Sequence, residues 1–387
     1  MDISRRAFFR SLAALSVAEW AQQRGRGLSA ETIDSSRPKV IVLSCGGVRC
    51  QETFGQEGVG NIPHLHRDLL PKSTFFTQIR NLGVTSHYNT ISSYLTGNWQ
   101  HVDDWGKTPP ESPTIFEYAR KELGLPQDDV WFISSNKALT SKIGASAVRD
   151  FGPSYGANVI FPKQMLINAV VNAAAQGRAA HNANRGDMQA ELQAMLQSSN
   201  YEGLGWQVEG GSSELGPTAR SMVLRAINQL VDTNVPISGD EFTYLMCVEV
   251  MKRFAPSLLV MTFSDMEAAH FGSYSMHVAG VRNFDRLTHE LWTEIEADPN
   301  YRGKTTLLVL PEFGRDFDGS PTNGFFNHRQ DSEETRSTWM MAIGAGARSG
   351  QVVDRPIKHV DISATVASLL GLKATPMQGT AVGEIRL

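Results

Sequence analysis

Thr305-Thr306-Leu307-Leu308-Val309-Leu310 runs through Pro311 into Glu312-Phe313-Gly314-Arg315, and a Gly/Asn-rich loop then leads to His328. The run is apolar almost throughout, as in a strand covered on both faces. A carboxylate, a glycine and a guanidinium follow at its C-terminal end. In open α/β sheets that edge is where ligands bind.

Outward from this stretch, similar short runs recur. Lys39-Val40-Ile41-Val42-Leu43-Ser44 is rich in β-branched residues and is stopped by Cys45-Gly46-Gly47. Val130-Trp131-Phe132-Ile133, Ser257-Leu258-Leu259-Val260-Met261-Thr262-Phe263 and Trp339-Met340-Met341-Ala342-Ile343 read the same way. Helical periodicity separates them over residues 114–123, 274–296 and 362–370, where Asp361 reads as an N-cap. Strands alternating with helices predict an α/β fold, a three-layer α/β/α arrangement around a mostly parallel sheet. Residues 163–254 differ: helical patterns divided by Gly-rich breaks predict a helical insertion on the sheet.

The chain has 387 residues, 41% hydrophobic and 20% charged, ordinary values for a folded protein with a large core. A net charge of −4 gives no basic field for nucleic acid. No apolar run approaches the length needed to cross a bilayer, so an integral membrane protein is not expected. Ser4-Arg5-Arg6-Ala7-Phe8-Phe9-Arg10, a modest apolar segment and Leu28-Ser29-Ala30 have the form of a twin-arginine export signal over residues 1–30. A basic amphipathic N-terminal helix is the other reading. A linker over 31–38 and a main domain over 39–387 follow. On the export reading the partner is the twin-arginine translocation machinery and the destination is the periplasm. Cys45, Cys50 and Cys247 form no disulfide framework, though Cys45 and Cys50 could close a short loop in an oxidising compartment; Cys247 sits in an apolar helical pattern and reads as core.

The predicted strand ends carry the polar residues. One supplies Arg49, another Asp265 and His270, and the next Glu312 and Arg315, with His328 in the loop beyond. Asp265, His270, Glu312 and His328 make a nitrogen and oxygen donor set for one divalent metal. Zinc suits the mixture, and manganese, magnesium or calcium would follow if oxygen ligands dominate.

From Val40 to Gly379 the order of motifs resembles the alkaline-phosphatase superfamily. The matching pieces are Gly46 to Arg49, Ser92-Ser93-Tyr94-Leu95-Thr96-Gly97, Ser264-Asp265 with His270, Glu312 to Arg315, Asn327-His328 and the closing segments at 339–347, 361–371 and Gly379. Within it, Glu312-Phe313-Gly314-Arg315 and the leader are similar to exported sulfatase-like proteins. The resemblance implies an alkaline-phosphatase/sulfatase-like fold and a first metal site on Asp265, His270 and His328. It places the second site's ligands on Gly46, Glu312 and Phe313, and a glycine and a phenylalanine cannot bind a metal. It places the nucleophile within Thr85-Ser86-His87, with Ser86 as the hydroxyl and His87 as a base beside it. Arg49 and Arg315 would grip a phosphate or sulfate, or pair with acidic neighbours and tie loops together. Asp316 and Asp318 read as solvated, His101 with Asp103 and Asp104 as a surface group, and His277 and His289 as exposed or packed.

The function expected is an exported metal-dependent hydrolase of phosphate or sulfate esters of small molecules or glycans, with one metal site kept and one degraded. The alternative is a catalytically inactive relative that binds a ligand, glycan or partner protein in the periplasm. Different metal-dependent chemistry at the single remaining site is a third reading.

Overall fold

A strand buried on both faces sends alternate side chains into two separate cores, and that alternation organises this molecule. A computed structural model describes residues 37–164 and 238–386, apart from 322, 330 and 375. The expected signal and most of the expected insertion and linker lie outside the described residues.

The strands are β1 (Lys39–Cys45), β2 (Ser73–Arg80), β3 (Val130–Ser134), β4 (Asn158–Ile160), β5 (Leu258–Phe263), β6 (Thr305–Pro311), β7 (Ser337–Gly344), β8 (Gln351–Val353) and β9 (Ile357–Lys358). The main helices are α1 (His87–Thr96), α2 (Ile115–Leu123), α3 (Gly239–Phe254), α4 (Tyr274–Ala297) and α5 (Asp361–Leu370). The strands form one sheet in the order β4-β3-β5-β1-β6-β7-β2-β8, with β9 also on β2. Every pairing is parallel except those β7 makes with β6 and β2.

On one face Ile41, Leu43, Leu307 and Val309 pack with Phe242, Cys247 and Val250 of α3 and with Val281, Phe284 and Leu291 of α4. On the other, Val40, Val42, Leu308 and Leu310 meet Tyr88 and Ile91 of α1, Phe116 of α2 and Val366 of α5. The result is three layers, α/β/α. Capping boxes at Thr114 with Glu117 and at Ser238 with Glu241 start α2 and α3, and Gly97 and Gly371 end α1 and α5 at positive φ. Each such cap contributes about 1 kcal/mol.

Several local readings differ from the structure. β2 and α1 carry too many polar residues to show a clear apolar period, and β4 is only three residues long. Asp361 does not cap α5 but is its first residue; its carboxylate accepts from the Lys358 and Thr380 backbone N–H groups. Cys45, Cys50 and Cys247 are all free, with Cys50 exposed and the other two buried. Among the described residues no helix is long and apolar enough to cross a membrane.

For the site, the register at the sheet centre matters most. Cys45 at the end of β1 lies beside Phe263 of β5 and Pro311 of β6. The loops that follow therefore leave the same edge at neighbouring positions. After β5 the chain makes a 3-10 helix, Asp265–Phe271, against which α4 packs through Gly280. A Cβ on Gly280 would stand 2.5 Å from Met266 N. Gly280→Ala is expected to push these elements apart and destabilise the protein by about 1–3 kcal/mol in urea unfolding.

Candidate metal centre

Two loops from one sheet edge, joined by the start of α1, bring His87, Glu267, His270 and His328 together. One ligand atom from each lies within 4.8 Å of the others, and all four residues are buried. The 3-10 segment explains part of this. At three residues per turn, Glu267 and His270 fall on one face, and His270 Nε2 is 3.0 Å from Glu267 Oε2. His328 Nε2 lies 3.2 Å from His270 Nε2, and His87 Nε2 lies 3.4 Å from Glu267 Oε2. Zinc with ligands at about 2.0–2.2 Å and tetrahedral angles sets neighbouring ligand atoms about 3.3–3.5 Å apart. These three separations are close to that spacing.

The outer contacts suit the same purpose. His87 Nδ1 is 2.7 Å from Glu312 Oε2, which leaves Nε2 facing the cluster without a hydrogen-bond partner. His328 Nδ1 donates to the Thr85 carbonyl at 2.8 Å, so in the neutral ring its Nε2 lone pair points at the other ligands. Thr85 Oγ1 in turn donates to the His328 carbonyl at 2.9 Å. An imidazole backed by a carboxylate or carbonyl on its far nitrogen is how proteins orient a metal-binding histidine.

Glu267 reaches the cluster because Gly46 has no side chain; a Cβ there would collide with Glu267 Oε1. That oxygen accepts from Gly47 N at 2.7 Å, while Arg315 Nη2 donates to Oε2 at 2.6 Å. Burial opposes the charge on Glu267, but Arg315 and His87 outweigh it and hold its pKa well below the usual carboxylate range. Burial likewise works against a charged His87, yet Glu267 and Glu312 raise its pKa well above the ordinary imidazole value. Burial and the neighbouring His87 push His328 the other way, towards the neutral ring. Phe313 stacks on His328 at 4.2 Å between centroids.

The structure brings His270, His328 and His87 together and puts Glu312 behind His87 rather than in the cluster. It does not bring Asp265 there. Asp265 accepts from the Asp240 backbone N–H at 3.4 Å and Asp240 from the Asp265 N–H at 2.8 Å, which docks the start of α3 on the loop after β5. Burial raises the pKa of both carboxyls, and at Asp240 the neighbouring Asp265 adds to it. Arg315 is fully buried, donating to Gly47 O and Phe325 O as well as to Glu267. Arg49 is held by Glu52 at 2.5 Å and by Asp318, an exposed turn residue as expected, at 2.8 Å. Asp316 is not solvated: it is buried and accepts from Thr335 Oγ1. Ser86 precedes α1 as its N-cap, its hydroxyl accepting from Asn89 Nδ2 at 2.9 Å. Of the other histidines, His277 is buried on the Met266 carbonyl, His289 is half-exposed and His101 is exposed. Glu267 was missed, although its spacing three residues before His270 and the bare Gly46 are both visible in the sequence.

No protein-family model matches the chain, and no curated protein sequence does. Solved structures share its fold. A protein in the alkaline phosphatase superfamily from Vibrio parahaemolyticus superposes with a TM-score of 0.54 at 13% identity, over 89% of this chain and 69% of its own. The phosphonate monoester hydrolase SpPMH from Silicibacter pomeroyi gives 0.57 at 12%, over 89% and 76%. The PsFucS1 sulfatase from Pseudoalteromonas sp. gives 0.50 at 14%, over 97% and 74%. The fold is therefore that of the alkaline phosphatases and sulfatases, and at these identities the likeness speaks to fold alone.

Glu312→Gln is expected to weaken zinc binding about 10–100-fold in a chelator competition. Asp265→Asn is expected to leave it unchanged.

Proposed function

We propose that this protein is an exported, metal-dependent hydrolase of phosphate or sulfate esters of small molecules or glycans. His87, Glu267, His270 and His328 would hold the divalent ion that serves the reaction. The observation that carries the reading is the convergence of three imidazoles and one carboxylate at ligand-to-ligand spacing, with His87 and His328 held from behind. Three nitrogens and one oxygen suit zinc better than manganese, magnesium or calcium, which favour oxygen. An ion there would supply a Lewis acid to polarise the ester oxygen. The second metal site of the resemblance is absent from this reading, because Gly46 and Phe313 offer no ligand atom.

Ser86 would supply the attacking hydroxyl, next to His87 in the chain and at the positive end of α1. Its bond from Asn89 leaves the O–H proton and a lone pair available. Arg315 acts by holding Glu267 rather than by gripping substrate, and Arg49 ties the loop after β1 to Asp318. The fold neighbours named for phosphonate and sulfate-ester chemistry support the substrate class. The leader Ser4 to Arg10 supports export to the periplasm by the twin-arginine machinery.

One observation favours the alternative, an inactive periplasmic protein that binds a ligand, glycan or partner. Glu267 and Glu312 are already balanced by His87 and Arg315, so the cluster satisfies its own charges.

Protein purified without added metal is expected to carry about one zinc per chain and to cleave aryl phosphate or aryl sulfate. His328→Ala should lose both properties, and Ser86→Ala should keep the metal while losing at least about 100-fold in rate. Activity surviving in Ser86→Ala would assign attack to water, whereas a metal-bearing protein that cleaves neither ester would favour the binding reading. Separately, replacing both Arg5 and Arg6 by lysine is expected to abolish appearance of the protein in the periplasmic fraction.

A further inference from the structure

We propose a second, solvent-facing metal site formed by His64, Asp68 and His289, which takes a nitrogen-preferring divalent cation such as zinc, nickel or copper. One ligand atom from each residue lies within 4.8 Å of the other two. His64 Nδ1 is 2.8 Å from Asp68 Oδ2, and His289 Nε2 is 3.9 Å from the same oxygen. The two imidazoles lie face to face, centroids 4.5 Å apart with 22° between planes. The three side chains are between 36% and 45% exposed, so an ion from solution can reach all of them.

The placement of these residues is fixed from beneath. Asp285 on α4 is buried and accepts from the backbone N–H groups of His64 and Leu65, at 3.1 and 2.6 Å. Those residues open the π-helical segment Leu65–Leu69. One turn further on, the segment presents Asp68 and α4 presents His289. Asp285 thus sets the register of two elements whose next turns carry the ligands. A π-helical turn is an uncommon conformation that recurs at functional sites.

Two imidazoles and one carboxylate are a donor set for borderline metals, with positions left for water. Magnesium or calcium would find one oxygen where they need several. This site is separate from the buried cluster: the segment that carries Glu267 and His270 packs on α4 at Gly280, and His289 lies nine residues beyond, about 13 Å along the axis. A cation bound there would staple the π-helical segment, and through it the approach to β2, onto α4.

Equilibrium dialysis of the full-length, chelator-treated protein against zinc chloride tests the proposal. A His270→Ala/His328→Ala variant, in which the buried cluster is disabled, is expected to bind one zinc per chain. Adding His289→Ala should remove it, adding Asp68→Asn should weaken it about tenfold or more, and adding His101→Ala should change nothing. Circular dichroism establishes that each variant is folded, and Asp68→Asn serves if His289→Ala is not. Zinc should also raise the midpoint of thermal unfolding of the double variant but not of the His289→Ala form. The proposal is overturned if the double variant binds no zinc, or binds it equally with and without His289 and the Asp68 carboxylate.

Discussion

One carboxylate holds the sheet edge together. Glu267 follows β5, takes the Gly47 N–H that follows β1, and takes the Arg315 guanidinium that follows β6. Those are the three central strands, side by side and parallel, so their loops must meet. The carboxylate enters because Gly46 has no Cβ, and it stays ionised because Arg315 and His87 oppose the cost of burial. Remove it and Arg315 becomes a buried charge without its ion-pair partner, which costs several kcal/mol.

The same carboxylate occupies space that a side chain at residue 46 would need. The resemblance expects an acidic side chain at Gly46, and the space that residue leaves is filled by Glu267 from the adjacent loop. Likewise an imidazole expected at Phe313 is absent, and His87 stands beside that ring with 5.0 Å between centroids. Glu267 and His87 thus stand beside Gly46 and Phe313 at the C-terminal edge of the sheet. Two carboxylates, one raised imidazole and one guanidinium leave the cluster near neutrality by themselves. A cation at the cluster would compete with the proton that Glu267 and Glu312 favour on His87.

Much of the fold was legible because β1, β5, β6 and β7 are apolar runs too short for helices, and α2, α4 and α5 carry a clear helical period. β2 was not, since Thr74, Thr77 and Gln78 interrupt its apolar residues and its partners lie far along the chain. α1 was not either, because Ser, Thr and Asn occupy much of a helix that is buried nearly throughout. The site was legible as to place, at the ends of the central strands, and as to His270 and His328. Asp265 was the natural choice by sequence, being directly after the strand. Whether it faces the site depends on α3, whose N-terminus claims it, and that contact depends on tertiary packing invisible in spacing alone.

The most direct measurement is anomalous X-ray diffraction at the zinc edge from crystals of the zinc-loaded protein. A strong peak bounded by His87 Nε2, Glu267 Oε2, His270 Nε2 and His328 Nε2, with Asp265 remote from it, is the expected result. Density coordinated by Asp265, or a buried cluster without metal in protein shown to be zinc-saturated, would contradict the account.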